Sequence, residues 1–88
     1  MACISTTSGT AAEVTSNAVI TDTRRKVKIV IIDPALIPTV AVNDPTLMVG
    51  LPPAVTAATG MDALTHAIEA YVSIGAHVLT DHSALAAI

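Results

Sequence analysis

VGLPPAVTAATGMDALTHAIEAYVS, residues 49–73, decides the fold, because the character of the chain changes inside it. Before it, from Met1 to about Val49, short β-rich runs are separated by turn residues: ACIS (2–5), NAVITD (17–22), VKIVIID (27–33) and TVAVND (39–44). After Gly50 the strand signal stops. Pro52 and Pro53 suit the first turn of a helix, where proline loses no hydrogen bond, and everything from Leu51 onward has helical spacing. Gly60 is a candidate kink in that helix and Gly75 its expected end. The fold class expected is therefore α/β followed by all-α, with residues 1–49 in the first part and residues 50–88 in the second.

Within the strand-rich part, VKIVII alternates little in its second half, the pattern of a strand covered on both faces. TDTRRK (21–26) is polar and charged and reads as a hairpin tip or an exposed connection. It holds three of the four cations, Arg24, Arg25 and Lys26, and Lys28 follows closely. With a net charge of −3 and no dominant basic face, a nucleic-acid or anionic-membrane partner is not expected. Cys3 is the only cysteine, which excludes an internal disulfide and fits a reducing cytosol. No leader pattern and no apolar run near 18 residues is found, so the expected compartment is the cytoplasm.

With 88 residues, Tyr71 as the only aromatic, and apolar content made of Ala, Val, Ile and Leu, the core of such a chain is thin. The final SALAAI stops inside a helical pattern without a terminating residue. Both features fit an interior piece of a larger protein.

At about 100° per residue, Leu64, Ile68, Tyr71 and Val72 form an apolar stripe on the long helix, and Asp62, His66, Glu69 and Ser73 a polar one. Asp62 and His66 lie one turn apart, an i,i+4 spacing that lets two donor atoms reach one metal ion. The same spacing also describes an ordinary helix-surface pair. His77, Asp81 and His82 offer a competing cluster, with His77 and Asp81 at i,i+4 if that segment is helical, but a loop after Gly75 and a helix capped by Thr80 or Asp81 account for them without chemistry. In STTSGTAAEVT (5–15), Thr10 and Glu13 have the spacing of a capping box. A helix start surrounded by hydroxyls can equally hold part of a cofactor, although no GxGxxG or GxxxxGK[ST] pattern is present.

Taken in order, STTSGTAAEVT, NAVITD, VAVNDP and GLPPAVTAATGMDALTHAIEAYVS resemble the iron-containing (group III) alcohol dehydrogenases over essentially the whole chain. AATGMDALTHAIEAYVS is the most specific element. ISTTSGTAAEVT, RRKVK and the tail GAHVLTDHSALAAI look most like the lactaldehyde reductase (L-1,2-propanediol oxidoreductase) branch, which shares much with the ethanol and 1,3-propanediol enzymes. The resemblance implies that residues 1–49 are the end of a Rossmann-like NAD-binding domain and residues 50–88 the start of a helical metal-binding domain.

It further implies that Asp62 and His66 are two of four ligands to Fe(II), or to zinc, the other two being downstream histidines. Thr6, Thr7 and Thr10 match hydroxyl residues beside the nicotinamide half of NAD, and Asn17 and Lys28 match polar cofactor contacts. The implied reaction is hydride transfer between NAD and a small primary alcohol, diol or matching aldehyde, in a full-length enzyme that is a homo-oligomer, with no proton-transfer residue assigned. Ser5 stands where many members have proline, and Ala12 where many have serine, the latter also within the lactaldehyde reductase branch. Alone, the chain holds half a metal site and is expected to be inactive. Other readings are a hydroxyacid-oxoacid transhydrogenase or glycerol-type enzyme on the same scaffold, or a non-catalytic truncated remnant.

Overall fold

The computed structural model describes residues 1–88. Four strands come first: β1 (Ala2–Ile4), β2 (Asn17–Asp22), β3 (Val27–Ile32) and β4 (Val40–Val42). Two helices follow, α1 (Pro53–Val72) and α2 (Val78–Ala87), and single 3-10 turns occupy Ala12–Val14, Pro34–Leu36 and Pro45–Leu47. The chain divides into two compact units, one made of residues 1–6 and 11–47, the other of residues 7–10 and 48–88. The short loop 7–10 thus belongs with the helices and not with the strands that flank it.

In the first unit, β2 and β3 form an antiparallel hairpin from Asn17↔Ile32 to Asp22↔Val27. Its β-branched residues favour the pleat, and the tip is built by Asp22, whose Oδ1 accepts from the backbone N–H groups of Arg24 (2.9 Å) and Arg25 (3.1 Å). Lys26 closes the turn with φ 54°, as a four-residue loop built on an Asx turn requires of one residue. TDTRRK is therefore a hairpin tip. The double-sided cover expected for VKIVII is not found, since all six residues of β3 are exposed. Within these 88 residues the hairpin is a two-stranded ribbon.

Separately, β1 pairs in parallel with β4, in the register Ala2↔Val40, Cys3↔Ala41, Ile4↔Val42. Backbone bonds from Thr39 N–H to Met1 C=O (2.8 Å) and from Ser5 N–H to Val42 C=O (3.1 Å) extend the pair at both ends. After β4, Asp44 accepts from the hydroxyl (2.7 Å) and backbone N–H (2.9 Å) of Thr46, and these bonds hold its carboxyl below the usual carboxylate range.

The second unit is dominated by α1, whose 20 residues span about 30 Å. Pro53 stands at its first position, and the Pro52 carbonyl accepts from the N–H groups of Val55 (2.9 Å) and Thr56 (3.1 Å). The helix passes through Gly60 without a break, so the expected kink is absent; its open surroundings leave a glycine there without a packing consequence. The end falls at Val72 and not at Gly75. Ser73 turns the chain first, its hydroxyl accepting from Gly75 N–H (3.2 Å) and its carbonyl from Ala76 N–H (3.0 Å).

Neither Thr80 nor Asp81 is the N-cap of α2; His77 occupies that position. Thr80, three residues further in, accepts from the His77 N–H and donates to the His77 carbonyl, both at 2.8 Å. The two helices pack together, and the only two buried residues of the chain are one alanine from each, Ala67 and Ala84. Small side chains permit close approach but bury little apolar area.

Candidate functional site

Asp62 and His66 project from the third and fourth turns of α1. Asp62 Oδ2 lies 3.4 Å from His66 Nε2, and the two side chains keep 47% and 61% of their surface exposed. At that exposure the mutual attraction alone contributes little to stability. The distance does, however, suit a shared ion. Two donors each about 2.1 Å from a tetrahedral centre lie roughly 3.4 Å apart, so the spacing of the pair matches that of two ligands to one divalent metal, and a carboxylate–imidazole set suits Fe(II) or Zn(II). No group of three or more His, Cys, Asp or Glu side chains capable of holding a metal occurs in the chain. The fit therefore extends to two ligands. His77, Asp81 and His82 on α2 do not join them.

The five candidate cofactor residues fall into both units. Thr7, half-buried, and Thr10, exposed, belong with α1. Thr6, Asn17 and Lys28 belong to the strand-bearing unit. Asn17 opens β2, and Lys28 faces Thr21 across the ladder. Because cross-strand partners share a face and residues four apart on one strand do too, Asn17 and Lys28 lie on the same face of the hairpin, separated along it by about 14 Å. Such a pair can touch different parts of an extended ligand and cannot grip a single group.

The expected capping box does not form. Ala11 adopts a left-handed conformation (φ 51°, ψ 32°) ahead of the 3-10 turn at Ala12–Val14, which has no side-chain cap. Glu13 instead accepts from Ser5 Oγ at 3.0 Å. Thr10 is left without a capping duty, its hydroxyl available to a ligand.

Gly9 is the feature that pattern reading missed. Its φ of 132° lies in a region that side-chain-bearing residues rarely adopt, and a Cβ there would sit 2.7 Å from the carbonyl carbon of Thr59 and nearer still to the carbonyl oxygen. A glycine set among hydroxyl residues between a strand and a turn was the available signal. The partner on α1 could not be read from it. A shallow apolar cleft of about 220 Å³ at the α1–α2 corner, lined by Ala70, Ser73, Gly75, Ala76 and Thr80, holds no titratable group.

The model of the iron-containing alcohol dehydrogenases matches residues 1–45, and that of the C-terminal part of the Fe-containing alcohol dehydrogenase family matches residues 56–88. A 1,3-propanediol dehydrogenase of Klebsiella pneumoniae is 56% identical over 85 residues, covering 97% of this chain and 22% of its own. A lactaldehyde reductase of Escherichia coli (strain K12) is 60% identical over 78 residues, covering 89% and 20%. Among solved structures, a sulfoacetaldehyde reductase from Bifidobacterium kashiwanohense in complex with NAD+ superimposes with a TM-score of 0.89 at 40% identity, over 94% of this chain and 22% of that one.

All three bear the names of oxidoreductases. The chain belongs to the iron-containing alcohol dehydrogenase family, as the resemblance of its motifs implied. It spans about a fifth of the length of the relatives it matches.

Proposed function

We propose that this chain is an interior segment of an NAD-dependent, metal-dependent alcohol dehydrogenase that acts on a small primary alcohol or diol, or the matching aldehyde. The observation that carries the reading is the Asp62–His66 pair, two metal-competent donors 3.4 Å apart on one exposed helix face. Residues 1–49 contribute to the NAD-binding domain and residues 50–88 to the metal-binding domain.

Asp62 and His66 supply two ligands to Fe(II), with zinc as the alternative ion, and two histidines elsewhere in the full-length protein supply the others. A divalent ion held there contributes Lewis acidity toward the oxygen of an alcohol or carbonyl. The chain's own residues orient and bind. Thr7 and Thr10 offer hydroxyls on the loop that belongs with α1, and Thr6, Asn17 and Lys28 offer polar contacts from the strand-bearing unit. Lys28 adds a positive charge for an anionic part of the cofactor. Alignment of the two reactants is the protein's contribution; the hydride chemistry belongs to NAD. The full-length protein is a cytoplasmic homo-oligomer, and the 88 residues alone are inactive because their coordination set is incomplete.

The test is metal and cofactor stoichiometry in the full-length protein. His66→Ala should lower metal occupancy and turnover far more than it lowers NAD affinity. Metal content unchanged by His66→Ala, or lost instead on changing His82, would remove the basis of the assignment.

A further inference from the structure

Gly9 belongs to the short loop 7–10 that groups with the helices, and its closest approach is to the backbone of α1 at Thr59. Two independent constraints demand glycine. The φ of 132° strains any L side chain, and an added Cβ would overlap the Thr59 carbonyl and come within 3.4 Å of the Ala63 Cβ. That carbonyl is part of the hydrogen-bond ladder of α1 and cannot swing away without breaking a helical turn. Changing the Thr59 side chain would not make room either, since the overlap is with its main-chain carbonyl.

The contact point lies within one turn of the metal pair. Thr59 precedes Asp62 by three residues and Ala63 follows it directly, so the loop rests on the same stretch of helix that carries Asp62 and His66. The loop's other members are Thr7, Ser8 and Thr10, so hydroxyl residues flank Gly9 on both sides. A single contact therefore joins the helix that carries Asp62 and His66 to the loop that carries the hydroxyls of Thr7 and Thr10.

We propose that Gly9 is a positioning residue for hydride transfer: by letting the Thr7–Thr10 loop seat directly on the backbone of α1, it fixes the distance between the nicotinamide and the substrate oxygen's metal site. The inference rests on the functional reading above. Relieving the Thr59 overlap moves the loop outward by about 1 Å, a displacement that costs roughly a hundredfold in rate when it separates reacting groups.

The experiment uses the full-length protein with Gly9→Ala and, pressing on the same contact from the helix side, Ala63→Val. Metal per subunit, the NAD+ dissociation constant, kcat per metal-loaded site and the primary deuterium isotope effect with a deuterated alcohol are measured for each. Gly9→Ala should keep its metal, weaken NAD+ by less than about tenfold, and lose about a hundredfold in kcat, with the isotope effect rising as hydride transfer becomes rate-limiting. Ala63→Val should show the same split at about tenfold. A merely structural glycine would lower the amount of folded, metal-loaded protein and leave kcat per loaded site and the isotope effect unmoved, and that result overturns the proposal. If Gly9→Ala does not fold, Ala63→Val alone decides it by the same criteria. A wild-type protein that binds neither metal nor NAD+ overturns the functional reading and this inference together, whereas an active wild type with unimpaired variants overturns only the latter.

Discussion

Ser5 Oγ donates a hydrogen bond to Glu13 Oε2 at 3.0 Å, eight residues away and partly sheltered from solvent. It ties the end of β1 to the 3-10 turn at Ala12–Val14 and takes the carboxylate that a capping box would have used. In the full-length protein, Ser5→Ala should lower stability by about 1 kcal/mol. Combined with Glu13→Ala, the loss should fall well short of the sum of the two single effects. Urea midpoints read this directly, and strict additivity would mean the bond contributes nothing in solution.

Thr10→Ala separates two roles that its sequence context confuses. Because Thr10 caps no helix, its removal should leave stability within about 0.5 kcal/mol of wild type, while NAD affinity falls. Urea unfolding and a fluorescence titration with NADH measure the two quantities. Unchanged affinity would remove Thr10 from the cofactor site.

The elements themselves were legible because each rests on local chemistry. β-branched runs between turn residues marked all four strands, Asp22 and the charges after it marked the hairpin tip, and Pro52–Pro53 marked the start of α1. Pairing was less accessible. An alternation pattern says which face a strand buries, not which strand lies beside it, so the parallel union of β1 with β4 across the intervening hairpin had no local signature. The misplaced caps have separate causes. Thr10–Glu13 and Thr80 both have the right residues at the right spacing, but Ser5 captures Glu13 in one case, and in the other the chain becomes helical three residues earlier, after His77. At the site, Asp62 and His66 were visible as a helical spacing, whereas the seat of Gly9 on Thr59 depends on a tertiary neighbour some fifty residues away.

The corrected cap yields its own test. Thr80→Ala removes the acceptor for the His77 N–H and should cost about 1 kcal/mol. His77→Ala keeps the backbone N–H that Thr80 accepts from, and metal content should stay at the wild-type level. Thermal melting with metal analysis checks both, and loss of metal from the His77 variant would contradict the ligand assignment.

Produced alone, the 88 residues should not fold cooperatively. Ala67 and Ala84 are the only buried residues, and Val30, Ile32, Val49, Val78 and Leu79 remain more than half exposed, which is too little core for a chain of this length. Strong binding of a hydrophobic dye and no sharp thermal transition are expected. A soluble monomer with a sharp transition would refute this.

The parallel register Ala2↔Val40 also dictates an order of events on the ribosome. The hairpin can close as soon as β3 has followed its four-residue tip, whereas β1 cannot meet β4 until about 38 more residues have been synthesised. At roughly 5–20 residues per second that is a wait of about 2–8 s, and closing so long a loop costs about 3 kcal/mol in chain entropy against about 1 kcal/mol for the hairpin. For those seconds the edge of Ala2, Cys3 and Ile4 that β4 will cover stays open, so slowing translation of residues 5–40 would lengthen the period in which that edge can join the wrong strand.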